Sequence, residues 1–378
     1  MRDGWVETTL GQYIHINTGK LDVNAASEFG EYPFFTCSRE TYRINEAAFE
    51  GESVLVAGNG DLNVKYYDGE FNAYQRTYVL NSVDKKILDN RFLFLYMQTY
   101  IEYLRSETRG TVIQYLKKGQ FTDAKIKLPP LPEQKRIVDL ISSVDSYIEA
   151  LQERLKRANT SRNAVLHTLL TAGADYWVAT TLGHIANWGS GGTPKADNPD
   201  FYDGEIPWCV IGDLTESEVW ETEKKISTLG LQNSSAKVID PGSVLLAMYG
   251  ASIGRTGISA IPMATNQAIA FARCDPKLVL PKYLLAFLQT QKTKLVEMGQ
   301  GAAQPNISQT IIKSWPISLP PIPYQNHVVS TMAVFEATFL ALKSSIHSSK
   351  LLRSSLLSDL LSGEHEIPAS YDKVMGAA

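Results

Sequence analysis

LPPLPEQ, residues 128–134, returns 191 residues later as LPPIPYQ, residues 319–325. Proline has no amide hydrogen and is tolerated in a helix only in the first turn, so each copy marks a point where a helix begins. Both copies lead into the same pattern. After the first copy, apolar or small residues stand at Ile137, Ile141, Val144, Ile148, Leu151, Leu155 and Ala158, then at Val165 and Leu169, and the pattern breaks only at Arg162. After the second they stand at Val328, Met332, Phe335, Phe339, Leu342, Ile346 and Ser349, then at Leu356 and Leu360, with the break at Arg353. The alternating four and three spacing is a coiled-coil seam. It predicts two helices of about ten turns, each roughly 57 Å long at 1.5 Å per residue. Two stripes of equal length and register are best satisfied by packing on each other, and they run antiparallel if a pseudo-twofold axis crosses the seam. Globules at the ends of such a spacer predict a dumbbell.

The repetition extends beyond the helices. WVETTLG at 5–11 returns as WVATTLG at 177–183, an offset of 172, and ESVLVAG at 52–58 returns as GSVLLAM at 242–248, an offset of 190. One unit is used twice, and the offset grows between positions 11 and 52, so the second unit carries extra residues within 184–241. The expected division is a globule at 1–132, a long helix at 133–172, a second globule at 173–323, a second long helix at 324–365 and a tail at 366–378. The expected fold class is α+β. Within the globules VLVAG, NVKYY, AYQRTYVL, SVLLAMYG and AIAFARC read as short strands between turn residues, and 91–105 and 281–298 read as equivalent amphipathic helices with aromatic residues in the core.

Composition bounds the function. The 378 residues include 44% hydrophobic and 20% charged, an ordinary globular balance. The start, MRDGWVETTL, has no signal-like apolar stretch, and no window reads as a membrane span, so the expected location is cytoplasmic, with no membrane partner. Three separated cysteines, Cys37, Cys209 and Cys274, form neither a disulfide framework nor a CxxC site and read as buried free thiols. A net charge of −4 means that any nucleic-acid surface must be local. Catalytic patterns do not assemble. WGSGGTPK at 188–195 lacks the order of a triphosphate-binding loop, and NPDF at 198–201 has Asp200 where an adenine methyltransferase motif has a second proline. Asp200, Glu223 and Lys225 could imitate a nuclease site but occur in one unit alone, and the six histidines form no metal or triad grouping. Recognition remains. Two similar globules on a rigid spacer suit a ligand with two separated sites, and duplex DNA is such a ligand. The run at 109–127 agrees, with Arg109, Lys117, Lys118, Lys125 and Lys127 against the single acid Asp123.

The succession of LPPLPEQKRIV, VLHTLLTAG, SGGTPKADNPDFYDGEIPW, NQAIAF, LPPIPYQ and LLSDLLSG resembles the specificity subunit of a type I restriction-modification enzyme over essentially the whole chain. The resemblance implies two target-recognition domains, each reading half of a split site on double-stranded DNA, joined by two long helices in an antiparallel coiled coil. It implies a non-catalytic chain without cofactor. S-adenosylmethionine, ATP and Mg belong to its partners, two methylation subunits and translocating endonuclease subunits. The second copy departs from the pattern, with Tyr324, Asn326 and His327 where the first has Glu133, Lys135 and Arg136. Base reading needs planar or hydrogen-bonding side chains on loops, with phosphate contacts setting register. The candidates are Lys20, Ser38, Asn59, Asn63, Lys65, Gln75 and Arg76, with the basic residues Arg109, Lys117 and Lys118. In the second domain they are Thr193, Lys195, Tyr202, Tyr249, Ser252, Arg255, Asn266 and Gln267. Gly189, Gly191 and Gly192 read as sites of close backbone approach, to DNA or to another loop. The competing readings are an orphan or degenerate specificity protein and a stand-alone methyltransferase or nuclease.

Overall fold

Gln134 and Gln325, the last residues of the two repeated heptapeptides, are completely buried, and they explain the motif. In the computed structural model, which describes residues 4–107, 115–299, 306–368 and 370–374, each amide makes three hydrogen bonds. Gln134 Oε1 accepts from the backbone of Asp89 at 2.8 Å, while Nε2 donates to the carbonyls of Ile87 at 2.7 Å and Pro129 at 2.9 Å. Gln325 repeats this with Leu280, Leu278 and Pro320 at 2.9, 2.8 and 2.9 Å. The prolines leave carbonyls that lack helical donors, and the glutamine turns back to satisfy one of them while tying the helix to a loop 45 residues upstream.

From these points two helices run over Leu131–Thr171 and Ile322–Ser362, beginning two residues ahead of the expected starts because the third proline of each motif fits the first turn. The chain forms two compact units, one of 1–152 with 344–378 and one of 153–343. In the first unit Ile137, Val138 and Ile141 share a core with Leu357 and Leu360. In the second Leu166 shares one with Val328 and Met332, and Val165, Leu169 and Phe335 pack against it. The start of one helix therefore meets the end of the other in each unit, the antiparallel arrangement expected. Every seam position is buried or half-buried. Past the arginines, Leu166 and Leu357 lie deeper than the expected Val165 and Leu356, because there the stripe also meets the globule and must widen.

The globules share one topology. In the first, the strands Ile14–Thr18, Thr77–Ser82, Ser53–Ala57 and Val64–Tyr67 form an antiparallel sheet in that order, and Thr41–Ile44, Tyr32–Phe35 and Asn72–Ala73 form a mixed one. In the second, Ala186–Ser190, Ile269–Cys274, Val244–Ala247 and Thr256–Ser259 repeat the first sheet, and Lys224–Ile226, Tyr202–Cys209 and Met263–Thr265 repeat the second. The extra residues of the second unit supply an added strand at each sheet's edge, Glu218–Val219 and Val238–Ile239. A two-stranded ribbon closes each globule, Val6–Thr9 on Lys125–Leu128 and Val178–Thr181 on Pro316–Leu319. The head helices Asn90–Glu107 and Pro281–Gly299 lie where 91–105 and 281–298 were expected.

Three features depart from expectation. One 18-residue stretch of the second long helix is long and apolar enough to cross a membrane. The reason is a solvent side built from Ala, Val, Leu and Ser instead of charges, with Val334 and Leu340 66% and 70% exposed. The tail is packed: Ile367 lies in the first unit's core, and Arg136 donates to both carboxylate oxygens of Asp372 at 2.7 and 2.6 Å. On the first head helix the aromatic Phe92 is core as expected, whereas Tyr96, Tyr100 and Tyr103 stack at 5.8 and 6.1 Å along a cleft of about 560 Å³. All three cysteines are free as expected, Cys209 buried and Cys37 and Cys274 half-buried, and burial pushes the Cys209 and Cys274 thiols up to about 12.

Replacing either buried glutamine by leucine leaves an amide hydrogen and carbonyls without partners. Gln134→Leu and Gln325→Leu should each lower stability by about 3 kcal/mol in urea unfolding. A loss within experimental error at both positions would show that the amide is not the anchor.

Candidate nucleic-acid interface

The register of the two sheets brings four loops of the first globule to one place. Gly19 approaches the carbonyl of Ala73 so closely that a Cβ would lie 1.7 Å from it. Leu21 bridges to Tyr74, Gln75 donates its backbone hydrogen to Leu21, and Tyr74 does so to Phe35. Cys37 Sγ donates to the carbonyl of Arg76 at 3.4 Å, and Gly58 donates its amide to the same carbonyl at 2.8 Å. The segment after the head helix joins this cluster, with Leu116 donating to Gly58 and Asn59 bridging to Tyr115. Lys20, Ser38, Asn59, Asn63, Lys65, Gln75, Arg76, Lys117 and Lys118 thus all belong to one rim. Arg109 lies outside the described residues.

The second globule builds the same cluster. A Cβ on Gly191 would lie 1.8 Å from the carbonyl of Thr265, the counterpart of Gly19 on Ala73. Asn266 donates to Cys209, Met248 to Ala268 and Ile307 to Met248, and Tyr249 bridges to Asn306. Gly191 and Gly192 therefore serve loop contact, against Thr265 and against Ser235 and Ala236, whereas Gly189 lies within a strand opposite Phe271 and makes room for its ring. Gly192 also receives the indole hydrogen of Trp208 at 3.1 Å.

Side chains within each rim divide into builders and exposed groups. Lys65 Nζ donates to the carbonyls of Ser38 at 2.7 Å and Glu40 at 3.2 Å, and burial lowers its amine below the usual lysine range. Asn63 donates to Cys37 and Asp61, both at 2.9 Å. Tyr202 donates to Pro194 at 2.7 Å, Arg255 to Leu214 at 2.7 Å, and Asn266 accepts from Ala268 at 3.2 Å. These five hold loops. Thr193 donates to Gln267, and Gln75 reaches Asp22 at 3.3 Å. Lys20, Arg76, Lys117, Lys118, Lys195 and Gln267 are exposed. Sequence reasoning missed Arg39 and Tyr115. Arg39 pairs with Asp61 at 2.5 Å and holds that carboxyl below its usual range, and Tyr115 is 54% exposed beside Asn59. Tyr115 stood inside the basic run and could have been chosen as a planar group.

A model of the family described as "Type I restriction modification DNA specificity domain" matches residues 2–159 and again 175–348. The chain belongs to this family. It is 39% identical to the EcoDI specificity subunit of Escherichia coli over 153 residues, a match that spans 40% of this chain and 34% of that subunit. It is 22% identical to the MjaVIII specificity subunit of Methanocaldococcus jannaschii over 353 residues, 84% of this chain and 83% of the relative. Among solved structures, one of complex assembly and conformational transition in the type I R-M system matches with a TM-score of 0.66 at 18% identity, over 95% of this chain and 98% of that one. The S subunit from M. genitalium matches with a TM-score of 0.57 at 17% identity, over 96% and 97%. At these identities the two structures support the fold. The two family matches fall on the two copies of the repeat, so each rim belongs to its own DNA specificity domain, and this type I specificity chain recognises DNA sequence.

The division between builders and exposed groups is testable. Arg76→Ala should weaken DNA binding and reduce the slope of log affinity against log salt by about 0.9, one phosphate contact, without moving the unfolding midpoint. Lys65→Met should instead lower the midpoint, because two carbonyls lose their donor. The reverse assignment of the two effects would overturn the division.

Proposed function

We propose that each specificity domain reads one half of a bipartite DNA site through its loop rim, and that the long helices set the gap between the halves and dock two methylation subunits. The observation that carries this reading is the same loop cluster built twice with different groups on its rim: Lys20, Gln75 and Arg76 in one, Thr193, Lys195 and Gln267 in the other. A shared frame with unlike hydrogen-bonding groups suits two half-sites of unlike sequence. The added strands at Glu218–Val219 and Val238–Ile239 enlarge the second domain's frame.

On this reading the chain performs no catalytic step and holds no cofactor. S-adenosylmethionine, ATP and Mg are carried by the methylation and endonuclease subunits, and the complex works in the cytoplasm. The methylation subunit flips its target adenine out of the duplex, since a stacked base cannot reach a methyl donor. Docking on the helices is supported by Val334, Leu340, Leu351 and Leu352, each at least 60% exposed on the second long helix.

The spacing role is tested by inserting one heptad into both helices, after Leu151 and after Leu342. This preserves the seam and lengthens each helix by about 10 Å, near three base pairs. The expected target keeps both half-sites and has a gap longer by a few base pairs, unless a rotation of the DNA face by roughly 100° abolishes activity. An active, folded variant that methylates sites with the original gap would show that the helices do not set it.

A further inference from the structure

The seam breaks at Arg162 and Arg353, which are 191 residues apart like the heptapeptides themselves. In the first unit Arg353, on the second long helix, donates to both carboxylate oxygens of Asp145 on the first, with Nη2 to Oδ2 at 2.9 Å. The same Nη2 donates to Gln98 Oε1 on the head helix at 3.1 Å. In the second unit Arg162, on the first long helix, donates to Gln289 Oε1 on its head helix at 2.5 Å. Gln98 and Gln289 are again 191 apart, so one arginine–glutamine pair has been built twice. In the second unit the connection goes further. Gln289 Nε2 donates to the carbonyl of Glu216 at 2.7 Å, and two residues earlier the carbonyl of Leu214 receives Arg255, a rim residue.

Stability alone is a weak account of the Arg353–Asp145 pair. An apolar side chain would continue the seam, and the Arg353 and Asp145 side chains, 19% and 39% exposed, give up hydration to meet. Such pairs are often matched or bettered in stability by apolar residues of similar volume. The best-attested role of a polar residue at a coiled-coil core position is to fix register at some cost in stability. Here the polar group also grips the head.

We propose that Arg353 with Asp145 and Gln98, and Arg162 with Gln289, are positioning residues that determine specificity. The Arg353 brace fixes the register of the paired helices and the seating of the head upon them, the Arg162 brace fixes the seating of its head on the first long helix, and both narrow the range of gaps accepted between half-sites. They touch no DNA and act through the rims. The inference rests on the bipartite reading proposed above.

The test maps methylated adenines genome-wide in a host carrying the complete system with the wild-type chain, Arg353→Leu, Arg162→Leu, or both. Both half-sites should stay unchanged, while methylation appears at sites whose gap differs by about one base pair, an axial change of about 3.4 Å. The double replacement Arg353→Leu with Asp145→Leu, which leaves no carboxylate without its partner, should unfold at a denaturant concentration equal to or above that of wild type, which a merely stabilising role would not allow. Gln98→Leu and Gln289→Leu, which leave the seam intact, should broaden the gap in the same way. The exchange Asp145→Arg with Arg353→Asp should restore the single gap, since the amide of Gln98 can turn to donate. An unchanged single gap in the leucine variants, or proportional loss at all sites with a lowered midpoint and no new gap, overturns the proposal. A wild-type chain that directs no two-part methylation would instead defeat the bipartite reading, and that result requires no variant.

Discussion

A buried side-chain amide fixes where each long helix leaves its domain. Proline supplies the break in hydrogen bonding and glutamine repairs it, taking one proline carbonyl and two backbone groups of the loop that leads into the head helix. In an environment with no water to compete, three such bonds define a direction as well as a contact. The head helix, the closing ribbon and the long helix all meet there, and the sheets that present the loop rim are built on that junction. The full repetition of this arrangement at Gln325 makes the chain two copies of one machine.

The copies differ where their surroundings do. Trp5 donates its indole hydrogen to Glu133 at 3.1 Å, whereas its counterpart Trp177 packs against the ring of Tyr324 at 5.2 Å. The replacement of glutamate by tyrosine, which in the sequence looked like a departure at the second helix start, exchanges a charged acceptor for a ring contact and keeps the tryptophan anchored. Arg136 likewise has a partner in Asp372, which the tail brings to the first unit, and the counterpart position holds His327. The departures follow local partners and leave the shared frame intact.

Much of the fold was legible because it rests on local periodicity. The four and three spacing depends only on the geometry of a helix, so the seam could be read residue by residue, including its arginine interruptions. Strands of the form SVLVA and VLLA were legible for a different local reason, as short continuous apolar runs between turn residues, buried at every position. The glutamine's task was not, because its partners at Asp89 and Leu280 lie 45 residues away in each case. In the site, the loops were legible and the side-chain roles only in part. Lys65 and Arg76 have the same charge and belong to the same rim, yet one is turned inward onto the carbonyls of Ser38 and Glu40 and the other is exposed, a difference set by how the 36–40 loop folds. The apolar solvent side of the second long helix is hidden in the sequence by the seam itself, whose leucines and valines absorb the apolar count and leave the alanines between them unnoticed.

The central claim is that two equivalent heads read DNA separately. It is tested most directly by replacing residues 173–323 with the corresponding domain of another family member of different specificity and mapping methylation in the host genome. The account predicts a target in which one half-site is new, the other is unchanged and the gap is kept. A target altered in both halves would contradict it.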